Sequence, residues 1–233
     1  MFFNNASPKD NRPRGWEILR IGGVPFYVEG SFLLFLLLLL FMFGERARGG
    51  SLPQAGLLCF IVFFSLLLHE GGHALAAHLS GCRGIMVSLV MFGGYARHST
   101  TTHGRSLFIA LAGPFFTLLL VVFGFLMVRY VPAVHASSPA TFFFGNLFML
   151  NTFWLVLNLL PIYPMDGGQS VFYGLQYFVR REAALHKVAV VSMVFCVLVG
   201  LILMKSPYGS LFIYFFLAMF FMQNLNIARA LRE

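Results

Sequence analysis

Six apolar stretches separated by short polar ones leave this chain few possible folds. They cover about 28–44, 55–79, 106–128, 142–160 with a broken continuation to 179, 188–204 and 210–226. A membrane-crossing helix needs about 20 mostly apolar residues, because the hydrocarbon core is about 30 Å thick and a helix rises 1.5 Å per residue. Charge content agrees: 10% of the 233 residues are charged, against about 25% in a soluble domain. The sequence therefore predicts an all-α polytopic membrane protein with about six transmembrane helices. The first stretch, Ser31 to Phe43, reaches spanning length only with flanking Phe26 to Gly30 or Gly44. Between the second and third spans, GIMVSLVMFGGYARHS alternates in polarity and holds a Gly-Gly pair. That pattern predicts a small β-hairpin or re-entrant loop. Residues 1–24 and 229–233 read as cytoplasmic tails, and 25–228 as a single transmembrane domain. The first segment lacks the apolar core and small-residue cleavage site of a signal peptide.

The basic residues set an orientation. With six spans both termini share a side, and twelve of the sixteen Lys and Arg fall on it, from Lys9 and Arg12 to Arg229 and Arg232. Arg46, Arg48, Arg129 and Lys205 fall on the other. The positive-inside bias places both termini in the cytoplasm, in the cell membrane if the source is bacterial. The net charge of +8 then implies contact with anionic lipid and not with nucleic acid. Cys59, Cys82 and Cys196 have no spacing that suggests a disulfide framework or a cysteine metal site.

Against this apolar background stands LLLHEGGHAL, Leu66 to Leu75, in the second span. An ionisable residue at mid-membrane costs about 2.5–3.5 kcal/mol on insertion scales, so three together point to a functional site. His69 and His73 are one helical turn apart and share a face, so both imidazoles can reach one ion. Glu70 stands beside the first histidine, where it can act on water at that ion. Zinc suits the arrangement, because it takes nitrogen and oxygen ligands and acidifies bound water. Gly71 and Gly72 suit the close approach of another backbone or a substrate.

A catalytic zinc usually has three protein ligands and one open position. A histidine six residues after His73 would be one source, but that position is Leu79. From Gly71 to Arg181 the only carboxylate is Asp166, in PIYPMDGG where the fourth span breaks. The second and fourth spans run in the same direction, and Asp166, like the histidines, falls late in its span, in the cytoplasmic half. Irregular backbone at membrane depth is tolerated where it is buried in protein or lines a wet cavity. Asp166 is therefore the candidate third ligand; the alternative is a helix cap at the break. His78, His98, His103, His135 and His186 read as solvated side chains, with His98 and His103 in the loop.

HEGGH in one span and NLLPIYPMDGG in a later one resemble the site-2 protease family of intramembrane zinc metalloproteases. IGGVPFYVEGSFLLFLLLL, FGGYAR and LAGP (Leu111 to Pro114) fit the order of that family, so the resemblance runs from about Ile21 to Gly168. It implies one zinc per chain on His69, His73 and Asp166, with Glu70 as the catalytic general base and acid. It also implies a substrate- or oxyanion-orienting role for Asn158, while Asn151 reads as a helix–helix hydrogen bond. Many relatives carry a PDZ domain or paired CBS modules, and neither is expected here. Gly71 replaces a residue that is usually bulkier.

These readings predict a zinc metalloendopeptidase. Its expected task is regulated intramembrane proteolysis, the hydrolysis of a peptide bond in or near the transmembrane helix of a single-span membrane protein. The hairpin around Gly93 and Gly94 would offer an edge for the unwound substrate strand. A separate regulatory membrane partner is compatible with this. The alternative is a membrane metal transporter or scaffold that uses the same ligands without hydrolysis.

Overall fold

The computed structural model describes residues 15–44, 51–91, 93–99, 101–204 and 211–231. Strands β1 (Gly15–Ile21) and β2 (Val24–Glu29) come first, followed by helices α1 (Gly30–Gly44) and α2 (Leu52–Leu79). Strands β3 (Met86–Val90) and β4 (Gly93–Arg97) precede α3 (His103–Tyr130) and the one-turn α4 (Pro132–His135). Helices α5 (Ser138–Leu159), α6 (Asp166–Leu175), α7 (Arg181–Met204) and α8 (Leu211–Ala230) complete the chain.

Four helices, α2, α3, α5 and α7, are long and apolar enough to cross a bilayer, and α1 is a shorter apolar helix. The protein is thus an integral membrane protein, with four such helices among the described residues where six were expected. The two other expected spans fall on α1 and α8. Phe26 to Glu29 belong to β2, so α1 keeps only 15 residues, about 22 Å of helix. Helix α8 has 20 residues, with Gln223, Asn224, Asn226 and Arg229 in its second half.

The all-α expectation needs correction. The predicted hairpin exists as β3 and β4, paired antiparallel from Met86↔Arg97 to Val90↔Gly93. It is half of a four-stranded sheet of order β1-β2-β3-β4. Strand β2 runs parallel to β3 with Phe26 beside Val87, and α1 and α2 form the crossover that a parallel pair requires. Strand β1 is antiparallel to β2, with a bulge between Glu17 and Leu19. The expected tail over 1–24 is therefore partly sheet, and residues 1–14 lie outside the described residues. So do Arg46, Arg48, Lys205 and Arg232 of the charge argument.

One face of the sheet packs on the end of α2 and the start of α3. Val24, Phe26 and Val87 share a buried cluster with Ala74, Ala77, Ile109 and Ala112. That packing fixes β4, the edge strand, beside the last turns of α2.

Local chemistry explains the helix limits. Ser51 caps α2 by accepting from the Gln54 N–H at 3.4 Å, and Pro53 occupies its first turn, where a missing N–H is harmless. The break after α5 holds Pro161 and Pro164, which offer no N–H and disfavour helix in the residues before them. Helix then resumes at Asp166. One loop expectation shifts: His103 opens α3.

Candidate metal centre

His69, Glu70 and His73 follow one another on the buried side of α2. Asp166, the first residue of α6, is buried with them. His69 Nε2 lies 3.3 Å from His73 Nε2 and 3.1 Å from Asp166 Oδ2. His73 Nε2 lies 3.4 Å from Asp166 Oδ1. A tetrahedron with metal–ligand bonds of about 2.0 Å has edges of about 3.3 Å. The two imidazole nitrogens are therefore spaced like two ligands of a zinc-sized tetrahedron, and each faces a different oxygen of the Asp166 carboxylate at a similar distance. Among the described residues, this is the one group of three or more such side chains close enough to share an ion.

The outer ring nitrogens explain why the inner ones are available. His73 Nδ1 lies 2.7 Å from the Ile109 carbonyl, which can only accept, so Nδ1 carries the proton. His69 Nδ1 lies 2.8 Å from Thr117 Oγ1. The Thr117 hydroxyl donates to the Gly113 carbonyl at 3.3 Å, which leaves its oxygen to accept from His69. Both Nε2 atoms then present lone pairs to each other and to a carboxylate. Asp166 Oδ2 has no hydrogen-bond partner. Three converging acceptors in a buried site repel one another unless a cation joins them, and the donor set suits zinc.

Ile109, Gly113 and Thr117 are spaced four residues apart and form one stripe of α3. A Cβ on Gly113 would press into the His73 ring, including its Nε2 atom. Gly72 lets α3 come close: a Cβ there would lie 2.9 Å from the Ala112 carbonyl oxygen and 2.7 Å from the Phe116 ring. Gly71 is different, since a Cβ there would meet only Phe26 at 3.9 Å.

A cleft of about 200 Å³ opens on this group, walled by Gly94, Tyr95, Trp154 and Asn158. Glu70 is buried in its floor under β4, and a Cβ on Gly94 would lie 2.8 Å from Glu70 Oε1. Gly93 has φ +137°, in the region that favours glycine, and a Cβ there would rest on the Trp154 ring at 3.6 Å. Asn158 faces the cleft. Asn151 is buried and bonds Ser65 Oγ at 2.9 Å and the Leu147 carbonyl, the helix–helix role expected of it.

The other histidines stand apart from the ligand group. His98 lines the cleft, with Nδ1 on the Ser99 carbonyl. His78, His103 and His135 are exposed, and His186 is half-buried. Sequence reasoning missed Thr117 and Ile109 because a carbonyl and a lone hydroxyl in an apolar helix have no spacing signature. It also missed Trp154, whose indole N–H is buried without a partner.

Fold and site together define a class: a multi-helix membrane protein with a His-Glu-His helix and a distant aspartate at one metal centre. Known proteins share parts of this arrangement. Residues 124–202 match the model of peptidase family M50. The chain is 31% identical over 162 residues to a candidate zinc metalloprotease, sll0528, of Synechocystis sp., covering 64% of this chain and 42% of that protein. It is 27% identical over 153 residues to the zinc metalloprotease MJ0392 of Methanocaldococcus jannaschii, covering 66% and 43%. Stage IV sporulation protein FB of Bacillus subtilis is 31% identical over 147 residues, covering 62% and 48%. The chain thus spans less than half the length of the curated relatives it matches. A solved site-2 protease from Methanocaldococcus jannaschii shares the fold with a TM-score of 0.61 and 19% identity, over 92% of this chain and 95% of that one. The chain is thus similar, over part of its length, to peptidase family M50 and to zinc metalloproteases, and it has the fold of a site-2 protease.

Proposed function

We propose that this protein is an intramembrane zinc metalloendopeptidase that cleaves a single-span membrane protein in or beside its transmembrane helix. The observation that carries the reading is the convergence of His69, His73 and Asp166 close enough to share one ion, with Glu70 buried beside them. His69, His73 and Asp166 would hold zinc, which when bound supplies Lewis acidity at the scissile carbonyl. The rest of the chemistry falls to the chain's own residues. Glu70 takes a proton from the attacking water and returns it to the leaving amine. Asn158 orients the substrate or the developing oxyanion from the opposite wall.

A helical substrate hides its amides, so the segment to be cut must unwind first. Strand β4 is the sheet's edge nearest the site, and its free side suits pairing with an extended segment. Gly94 keeps that edge close above Glu70. The charge distribution favours a cytoplasmic site with both termini on that side, so cleavage releases a cytoplasmic fragment. The bilayer is the second partner, and a separate regulatory membrane protein is compatible with the open cleft.

The test compares the full chain with Glu70→Gln on a single-span reporter substrate in vesicles. The variant is isosteric, and turnover should fall by more than about 100-fold while zinc stays bound. Equal cleavage by both proteins would refute the mechanism and favour a transporter or scaffold using the same ligands.

A further inference from the structure

Asp166 reaches the histidines from the break between α5 and α6, so whatever fixes that break fixes the ligand. Two prolines in the break contribute no N–H, and a buried backbone group without a partner is costly. Tyr163, three residues before Asp166, is held at both its backbone groups by side chains from the last two helices. Its N–H donates to Ser192 Oγ of α7 at 2.8 Å. Its carbonyl accepts from Asn224 Nδ2 of α8 at 2.7 Å. Ser192 and Asn224 are fully buried, and Tyr163 is nearly so.

Both side chains are themselves held. Ser192 Oγ lies 2.7 Å from the Val188 carbonyl and 3.3 Å from the Pro161 carbonyl. Asn224 Nδ2 also donates to the Phe220 carbonyl at 2.9 Å. Because both neighbours are acceptors, the amide must face them with its NH₂ group. Tyr163 also packs against α6, its ring 6.0 Å from that of Phe172. A shift of Tyr163 therefore carries the start of α6, and Asp166 with it.

We propose that Ser192 and Asn224 are positioning residues for the metal centre: they fix the Tyr163 backbone, and through it the place of the Asp166 carboxylate. The inference rests on the metalloprotease reading in that Asp166 is taken as a ligand. Metal sites hold their ligands within about 0.2 Å, so a small relaxation of the break is enough to weaken binding. The consequence is that α8, whose described residues supply no ligand and none of the cleft wall, is coupled to the metal through one amide.

The test uses the full chain purified in detergent. Asn224→Asp keeps shape but turns the donor into an acceptor facing two carbonyls. Ser192→Ala is a smaller change that serves if the first variant does not fold, and Ser192→Thr restores the hydroxyl. Zinc affinity is measured by chelator competition, thermal midpoints with and without zinc, and ligand-field bands on the Co²⁺-substituted protein. Asn224→Asp and Ser192→Ala should weaken zinc by about 10-fold, shrink the zinc-induced rise in midpoint and shift the Co²⁺ bands, with Ser192→Thr recovering all three. In an Asp166→Asn background the same changes should cost little further affinity. Wild-type affinity and bands, with apo and zinc-loaded midpoints falling equally, would overturn the inference and leave the two residues as structural supports. A wild-type chain that holds no zinc would instead overturn the metalloprotease reading, and the inference with it.

Discussion

Replacing Thr117 by Val removes a single hydroxyl from the heart of the site and keeps the side chain's shape. In the wild type that oxygen lies 2.8 Å from His69 Nδ1, and Thr117 is fully buried. Helix α3 and α2 enclose the pair, so water cannot replace the lost partner. The His69 N–H would be left buried and unpaired, which costs about 1–3 kcal/mol. In the metal-free protein the ring can escape part of that penalty by moving its proton to Nε2, the ligand nitrogen. Zinc then has to displace that proton and accept the unpaired Nδ1–H. The expected loss of zinc affinity is about 10–100-fold, or about 1.4–2.7 kcal/mol, consistent with the unpaired-donor cost. Thr117→Ser keeps the oxygen and should bind zinc within about threefold of wild type, with a loss of stability near 1 kcal/mol for the missing methyl. Chelator competition at fixed pH and salt reads both variants. If Thr117→Val binds zinc within twofold of wild type, the hydrogen bond does not set the tautomer of His69, and the reasoning fails.

Two glycine substitutions should separate metal binding from chemistry. Gly113→Ala places a methyl against the His73 ring, whose Nδ1 is held by the Ile109 carbonyl. Overpacking of this kind costs about 1–3 kcal/mol, and zinc retention after gel filtration should fall with turnover. Gly94→Ala instead pushes on Glu70, with the new Cβ 2.8 Å from Oε1. Zinc content should stay at wild type while kcat falls by about 100-fold, the scale expected for a displacement near 1 Å; zinc loss from Gly94→Ala would contradict the separation.

What the sequence disclosed depended on how local each signal was. His69 and His73 were legible because a helix repeats every 3.6 residues and both ligands lie within one turn. Asp166 lies 93 positions beyond His73, and it was reachable only because the intervening chain has no other carboxylate. The β3–β4 hairpin was legible from its alternation and its glycines. Strand β2 was not, although VPFYVE carries the same signal: Val24, Phe26 and Val28 are buried while Pro25, Tyr27 and Glu29 are half-exposed. Its apolar residues run into the leucines of α1, and a hydropathy window merges the two. Thr117, Ser192 and Asn224 were beyond reach for another reason. Each is a single polar residue in an apolar helix, and nothing in its spacing says which backbone it will meet.

The two glycines of HEGGH separate on the same grounds. Glycine in a helix interior costs about 1 kcal/mol relative to alanine, so a packing role shows as a contact that a methyl would prevent. Gly72 has one, because α3 comes so near that a Cβ would run into the Ala112 carbonyl and the Phe116 ring. That approach brings the Ile109, Gly113 and Thr117 stripe against the histidines, with Ile109 meeting His73 and Thr117 meeting His69. The pairing order is reversed along the two helices, as antiparallel packing demands. A side chain at position 72 would separate the helices and pull both outer partners away from the rings. Gly71 faces Phe26 of the sheet with room to spare, so helix packing does not require it. The glycine of HEGGH that builds the site is therefore the one turned toward α3, and it acts by setting the distance at which the two candidate ligand histidines find their hydrogen-bond partners.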